Sequence, residues 1–171
     1  ECEGMAFGVD PKVVESVTKA VRKVTDKPVI VKLSPNVTDI VEIAKAVEAG
    51  GGNGVSLINT LLGMAIDIHR RKPVLGNTYG GLSGPAVKPV ALRMVHQVYK
   101  GVTIPIIGLG GIMTGTDAIE FMMAGAQAVQ VGTATMVDPT AISRIAREMS
   151  EYVEQYNLNS ITDIVGAVHQ V

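Results

Sequence analysis

Cysteine and aromatic residues are scarce in this sequence. It contains one cysteine, Cys2, no tryptophan, four tyrosines and two phenylalanines among its 171 residues. A single cysteine excludes an internal disulfide framework and is typical of a reducing compartment. The low aromatic content argues against the stacking surfaces that bind single-stranded nucleic acid. The formal net charge of −1 provides no basic surface either, so we expect no nucleic-acid partner.

Long apolar runs are missing as well. None approaches the roughly 20 residues that a membrane-spanning helix requires. Apolar residues nevertheless make up 47% of the chain, which is enough for a buried core. We therefore expect a soluble, cytoplasmic globular protein that makes no contact with a membrane.

The sequence also shows no residues at the spacing that is typical of metal ligands. His69 lies beside the basic run Arg70–Lys72, which predicts a solvated loop, and neither His96 nor His169 has a companion at metal-ligand spacing. Cys2 has no neighbouring histidine that would activate it as a nucleophile. We expect no metal site.

Short apolar runs alternate with amphipathic segments along the chain. Runs rich in isoleucine and valine predict buried parallel strands, and apolar residues repeating every three or four positions predict helices. This alternation predicts a parallel sheet with right-handed crossovers. The predicted strands are Val29–Leu33, Gly54–Ile58, Ile104–Ile107 and Ala128–Val131. The predicted helices begin at Asp10–Pro11 and Asp39 and then cover Pro85–Tyr99, Thr116–Ala124, Pro139–Tyr156 and Ser160–Val168, while a longer polar connection runs from Leu61 to Gly84.

The number of strands decides the predicted architecture. Four strands are half of the eight that a closed (β/α)8 barrel requires, and 171 residues fall short of its typical length of roughly 250. We therefore predict an α/β fold that is the C-terminal half of a (β/α)8 TIM barrel. In this interpretation residues 1–171 are part of a single barrel domain whose N-terminal half lies outside the chain. An open four-stranded sheet that folds alone is the alternative.

Glycine follows the predicted strands where a ligand would bind. The segments Ile104–Gly111 (IPIIGLGG) and Ala128–Thr133 (AVQVGT) each end in glycine ahead of a predicted helix, and Tyr79–Pro85 is a third glycine loop before a helix. Glycine lets backbone N–H groups approach an anion closely, and helix N-termini favour phosphate. Neighbouring turns of this kind match the phosphate site of (β/α)8 barrels. The sequence therefore predicts a phosphorylated ligand.

Polar side chains follow two other predicted strands. Lys32 lies at the end of VIVKL, where a buried and unpaired lysine would be unfavourable, so we expect it to face an anionic or electron-rich ligand. Asn59 and Thr60 follow the next strand and can both donate and accept hydrogen bonds, which suits a planar, heteroatom-rich substrate. The alternatives are a lysine that merely reaches solvent and ordinary turn chemistry at Asn59–Thr60.

Six motifs together resemble the dihydroorotate dehydrogenases, and among them the catalytic subunits of the NAD-linked bacterial class. The resemblance covers nearly the whole chain from Gly4 to about Pro139. The motifs are GMAFGVDP at Gly4–Pro11, VKLSPNVTDIVEIAKAVE at Val31–Glu48, INTLLGM at Ile58–Met64, GGLSGPAVKPVALRM at Gly80–Met94, IPIIGLGGI at Ile104–Ile112 and AGAQAVQVGTA at Ala124–Ala134.

The resemblance implies an FMN-containing barrel that oxidises dihydroorotate to orotate in pyrimidine biosynthesis. It implies that Lys32 contacts the electron-rich edge of the flavin and that Asn59 and Thr60 hold the pyrimidine substrate. The other implied cofactor contacts surround the flavin, its tail and its phosphate. They are Ile58, Gly84, Gly110, Gly111, Gly132 and Thr133.

The resemblance also implies what this chain lacks. The family's catalytic base is a cysteine in an S-C-P-N loop, which would lie upstream of Glu1, and Cys2 does not match it. We therefore expect no catalytic residue on this chain and no activity of the fragment alone. The resemblance further implies an electron-transfer subunit that contains FAD and an iron–sulphur cluster, and a homodimer or heterotetramer.

Three alternatives differ in chemistry. The pyrimidine-reducing domain of dihydropyrimidine dehydrogenase shares similar motifs around Lys32 and the glycine loop. A non-redox phosphate-binding barrel would contain no flavin and would use Lys32 as a Schiff-base or proton-transfer residue. A non-catalytic half-barrel would dimerise through its open edge strands.

Overall fold

The computed structural model describes residues 7–170, and its core is a four-stranded parallel sheet. In chain order the strands are β1 Ile30–Leu33, β2 Gly54–Leu57, β3 Leu61–Gly63, β4 Ile66–Asp67, β5 Lys72–Pro73, β6 Gly80–Leu82, β7 Ile106–Leu109 and β8 Ala128–Gln130. The helices described are α1 Pro11–Arg22, α2 Ile40–Ala49, α3 Lys88–Tyr99, α4 Gly115–Met123, α5 Thr133–Val137 and α6 Ala141–Gln155. Short 3-10 helices cover Pro85–Val87, Ile161–Ile164 and Ala167–His169.

The order of the parallel strands is β1-β2-β7-β8, so each strand pairs with the next one of the sheet along the chain. Helix α2 packs against β1 and β2, α3 against β2 and β7, and α4 against β7 and β8. Because the strand order never reverses and such crossovers are right-handed, the three helices lie on one face of the sheet. This is the winding of a barrel, whereas a doubly wound sheet reverses direction. The predicted α/β class and the four parallel strands are confirmed.

The two faces of the sheet have different surroundings. Leu33, Leu57 and Ile106 point towards the helices and are buried in the core. The opposite face carries Ile30, which is 50% exposed, and the exposed side chains of Lys32 and Gln130 on the edge strands. Within residues 7–170 this face is therefore open at both edges of the sheet.

Helix starts follow local capping chemistry. The Asp10 carboxylate accepts a hydrogen bond from the Lys12 N–H at 2.8 Å and Pro11 occupies the first turn, as the predicted start of α1 requires. The Asp39 carboxylate caps α2 in the same way, at 2.8 Å from the Val41 N–H. Thr114 is the N-cap residue of α4, and its hydroxyl accepts a hydrogen bond from the Asp117 N–H in a capping box. None of the helices in this part of the chain is long and apolar enough to cross a membrane.

The predicted strand Ile104–Ile107 is found two residues later, as β7 at Ile106–Leu109, and the structure differs from the predicted elements in three further places. The polar connection after β2 contains two small antiparallel pairs, β3 with β6 and β4 with β5, whose strands of two or three residues are too short to produce a periodic pattern. Helix α5 follows Gly132 directly and was not predicted. The predicted helix over 160–168 is wrong, because Val165 adopts an extended conformation between two 3-10 helices.

Glu48, near the C-terminal end of α2, holds the loop that leads into β7. Its Oε1 accepts hydrogen bonds from the Thr103 N–H at 2.8 Å, the Thr103 hydroxyl at 2.7 Å and the Ile104 N–H at 3.2 Å. The hydrogen bond from the Thr103 hydroxyl is the main reason that the pKa of Glu48 lies below its ordinary value of 4.5. This contact lies at the amino end of the strands and ties α2 to the next βα unit.

Replacing Glu48 by alanine is expected to lower the free energy of unfolding by about 1–2 kcal/mol, because a charged acceptor of several hydrogen bonds is lost. A lowered folded-state pKa means that the carboxylate stabilises the fold above pH 4.5 and that this stabilisation disappears as the pH falls through the lowered pKa. Urea unfolding of both proteins near neutral pH and at steps below pH 4.5 measures the difference. Equal unfolding free energies near neutral pH would contradict this role.

Candidate functional site

The carboxyl ends of the parallel strands open into one pocket of about 340 Å³. Lys32 of β1 and the loops that follow β2, β7 and β8 line it, together with the loop between β6 and α3. All nine residues that the sequence singled out lie on its wall. They are Lys32, Ile58, Asn59, Thr60, Gly84, Gly110, Gly111, Gly132 and Thr133.

Two glycine turns contact each other directly on one side of this pocket. Gly84 has φ +85° and precedes the 3-10 helix, and Gly111 has φ +83°, so both adopt a conformation that L side chains avoid. A Cβ atom on Gly111 would lie 2.8 Å from the Gly84 carbonyl oxygen and 2.8 Å from the Lys88 amide nitrogen. The absence of a side chain at Gly111 therefore lets the two turns pack backbone against backbone.

Gly132 and Thr133 form another side of the pocket. A Cβ on Gly132 would meet no atom within 4 Å, so this glycine borders open space. The Thr133 hydroxyl donates a hydrogen bond to the Ser83 hydroxyl at 3.0 Å, which joins the start of α5 to the loop before α3. Backbone N–H groups and hydroxyls at helix starts are suited to an anion such as phosphate.

Lys32 lies in the sheet opposite Ser56 of β2, and its side chain is exposed on the open face. Within residues 7–170 no ion pair joins its ammonium to a carboxylate. The positive charge therefore faces the pocket without a protein counter-ion from this part of the chain. A ligand that is anionic or becomes electron-rich would be stabilised there.

A second cavity of about 380 Å³ adjoins the first and shares Lys32, Asn59 and Thr60 with it. The walls that it does not share include Ser34 and Asn36 from the loop after β1. The two cavities therefore meet at a cation, an amide and a hydroxyl. Such an arrangement can hold two ligands side by side, with Lys32 between them.

A protein-family model described as dihydroorotate dehydrogenase matches residues 3–153 of the chain. The chain belongs to this family.

Curated relatives carry a more specific name. Dihydroorotate dehydrogenase B (NAD(+)), catalytic subunit, of Desulforamulus reducens is 64% identical over 166 residues, which are 97% of this chain and 55% of the relative. The proteins of the same name from Alkaliphilus metalliredigens and Geobacter sulfurreducens are both 61% identical over 165 residues, which are 96% of this chain and 55% and 54% of those relatives. The chain thus spans about half the length of the curated relatives that it matches.

Sequence reasoning missed several residues that line or support the two cavities. Ser83 and Gln130 line the first cavity. Gln130 could have been predicted, because it is a polar residue at the carboxyl end of a strand, as Lys32 is. Asn36 is the most connected of them. Its Nδ2 donates to the Thr60 carbonyl at 3.1 Å and its Oδ1 accepts from the Leu62 N–H at 2.9 Å, so it supports the backbone around Thr60.

The three histidines lie away from the pocket. Cys2 lies outside the described residues. His69 follows β4 on an exposed turn, and His96 stacks on His169 with ring centroids 4.2 Å apart. Burial lowers the pKa of His96, and the nearby His169 and Lys100 lower it further. Among residues 7–170 no group of three or more histidine, cysteine, aspartate or glutamate side chains is placed to hold a metal ion.

Proposed function

We propose that this chain is the cofactor- and substrate-binding portion of a cytoplasmic dihydroorotate dehydrogenase, which oxidises dihydroorotate to orotate in pyrimidine biosynthesis. The observation that carries the proposal is the joined pair of cavities, with glycine turns along one and Asn59–Thr60 shared between both. Membership of a flavin-dependent family and relatives about 60% identical support it. The assignment of individual residues rests on their chemistry and position.

The residues of the first cavity fit FMN. Its volume of about 340 Å³ lies within the range of roughly 300–1,000 Å³ that is typical of small-molecule sites. The turns at Gly84 and Gly111 and the hydroxyl of Thr133 would bind the phosphate, while Ile58 would contact the ring. When bound, FMN supplies an acceptor for the hydride of the substrate. Lys32 would stabilise the negative charge that accumulates there.

The second cavity fits the pyrimidine substrate. The Asn59 amide and the Thr60 hydroxyl can donate to the carbonyl oxygens and accept from the ring N–H groups of dihydroorotate. Neither group is a base at neutral pH, and removal of the C5 proton requires one. We assign that base to a cysteine of the longer enzyme outside this chain, so that the fragment alone would be inactive.

We further propose that residues 1–171 are the C-terminal half of a single (β/α)8 barrel domain. The strand order never reverses, and among the described residues no further strand pairs with the outer edges of β1 and β8. The face that would become the barrel interior carries Lys32 and is open within residues 7–170. Four further strands from the remainder of the longer protein would close the sheet and cover this face.

The relatives' name includes the words "catalytic subunit", which implies partner subunits for those proteins. We propose that the enzyme that contains this chain passes its electrons to a subunit with FAD and an iron–sulphur cluster, within a homodimer or a heterotetramer.

The visible absorption spectrum of the purified longer enzyme that contains this chain tests the proposal, with chromatographic identification of any released chromophore and with anaerobic addition of dihydroorotate. We expect stoichiometric FMN that is bleached by dihydroorotate. Bleaching by dihydrouracil instead would indicate a dihydropyrimidine dehydrogenase domain. A colourless protein with activity on a phosphorylated substrate would indicate a non-redox barrel, and a colourless, self-associating protein would indicate a non-catalytic half-barrel.

Replacing Gly132 by leucine is expected to weaken FMN binding at least about tenfold, because the new side chain would occupy open space that borders the pocket. Gly132 has φ −115°, so no left-handed backbone conformation opposes the substitution. Fluorescence titration with FMN measures the effect. Gly76→Leu is the matched control, because a Cβ at Gly76 also meets no atom within 4 Å but lies outside the pocket. Equal FMN affinity of the two variants would contradict the placement of the ligand.

A further inference from the structure

A partly buried ionic cluster lies beside the glycine turns. Lys88 is the first residue of α3, next to the pocket-lining Val87. Its Nζ lies 2.6 Å from Oδ1 of Asp117 and 2.8 Å from Oε2 of Glu120, both on α4. The Lys88 and Asp117 side chains are only 26% and 14% exposed, so the pair is largely removed from water. The cluster is not part of the pocket wall.

The protonation states of the pair are settled by their contacts. The hydrogen bond to Asp117, followed by that to Glu120, raises the pKa of Lys88. Burial by itself raises the pKa of Asp117, but the hydrogen bonds from Lys88, Met113 and Thr114 together bring it below its ordinary value. Lysine and carboxylate therefore both stay charged at neutral pH.

Asp117 also holds the turn after β7. Its Oδ2 accepts from the Met113 N–H and from the Thr114 N–H, both at 2.9 Å. One carboxylate thus connects the turn that contains Gly111 to the start of α3, which follows Gly84. The same two segments also meet where Gly111 packs closely against the Gly84 carbonyl and the Lys88 amide.

We propose that Lys88 is a positioning residue for the cofactor phosphate: its pairing with Asp117 and Glu120 sets the distance between the glycine turns at Gly84 and Gly110–Gly111, so that both present backbone N–H groups to one phosphate. This inference rests on the proposed FMN site. A preformed spacing lowers the free energy required to order the turns on binding. Lys88 acts through the turns and touches neither cofactor nor substrate.

Loss of Lys88 leaves the turn after β7 with other supports. The two backbone hydrogen bonds to Asp117 do not involve Lys88. On the far side Arg144 donates to the Met113 carbonyl at 3.2 Å, and Glu148 accepts from the Gly115 N–H. We therefore expect Lys88→Met to fold, with the spacing between the two turns relaxed.

The test compares FMN with riboflavin, which has the same ring system but no phosphate. The holoenzyme and its Lys88→Met variant are stripped of flavin, and the dissociation constants of both compounds are measured by fluorescence. Because the turns must then be ordered on binding, we expect Lys88→Met to weaken FMN binding by roughly tenfold or more and to leave riboflavin binding nearly unchanged. Lys88→Arg should restore the preference for FMN. Glu48→Ala, which loosens a loop at the opposite end of the strands, should lose stability and keep the preference.

The outcomes separate the two proposals. If the unmodified protein binds no flavin, the proposed function is wrong and the inference fails with it. If it prefers FMN and Lys88→Met keeps that preference, or weakens both compounds equally, the positioning role is wrong and the proposed function stands. Should Lys88→Met fail to fold, Glu120→Gln provides a second test, because it removes one charged partner of Lys88. We expect this variant to show a reduced preference for FMN over riboflavin. An unchanged preference would then overturn the inference.

Discussion

Lys32→Ala in the proposed holoenzyme is expected to slow flavin reduction by dihydroorotate by roughly 100-fold or more, with little change in the unfolding midpoint. Lys32 lies at the junction of the two cavities, and no carboxylate within residues 7–170 neutralises it. A fixed cation at the place where negative charge develops stabilises the transition state, and removal of one such group typically slows a reaction by about 10²–10³. Because the Lys32 side chain lines the two cavities and is exposed within residues 7–170, its loss removes little packing from this part of the fold. Anaerobic stopped-flow absorbance measures the reduction.

Lys27→Ala is the matched control for this variant. Lys27 is also an exposed lysine. It lies just before β1, at the amino end of the strand, whereas the pocket lies at the carboxyl ends of the strands. We expect its reduction kinetics to match those of the unmodified protein. Normal kinetics in Lys32→Ala with a full complement of flavin would refute the electrostatic role of Lys32.

Gly111→Val is expected to lower the free energy of unfolding by roughly 3 kcal/mol or more and to leave the protein without flavin. Gly111 has φ +83°, and its Cβ would lie 2.8 Å from two backbone atoms, of Gly84 and of Lys88. Backbone atoms cannot move aside as a flexible side chain can, so the two glycine turns must separate. Thermal unfolding and the flavin content of the purified variant measure the two effects.

The structure changes the reason for this expectation. From the sequence, a side chain at Gly111 is expected to obstruct a phosphate, but the direction of its Cβ shows that it would first strike the start of α3. The comparison with Gly132→Leu, whose side chain borders open space, separates the two effects. We expect Gly132→Leu to keep its unfolding midpoint and to lose affinity, and Gly111→Val to lose both. A Gly111→Val protein with an unchanged midpoint and full flavin would contradict the packing argument.

Much of the fold could be predicted because its signals are local. The runs VIVKL and GVSLI form strands with the expected order, and Asp10 with Pro11 starts α1 as predicted. The clustering of the nine candidate residues also follows from the sequence, because the carboxyl ends of parallel strands meet at one edge of a sheet. Lys32 and Asn59 could therefore be placed near each other without coordinates.

The remaining features depend on contacts between residues that are distant in sequence. The strands β3 to β6 are too short to show a period and form only as antiparallel pairs. No sequence pattern relates His96 to His169, yet their rings stack.

Composition, alternation and glycine spacing by themselves determined that this chain is an α/β protein, and they predicted a ligand site at the ends of its parallel strands. Only the tertiary structure decided which atoms support that site. Hydrophobic periodicity specifies the face of an element that is buried, but not its partner. The pairing of Lys88 with Asp117, 29 positions away, and the direction of the absent Gly111 side chain are set when α3, α4 and the two glycine turns pack together.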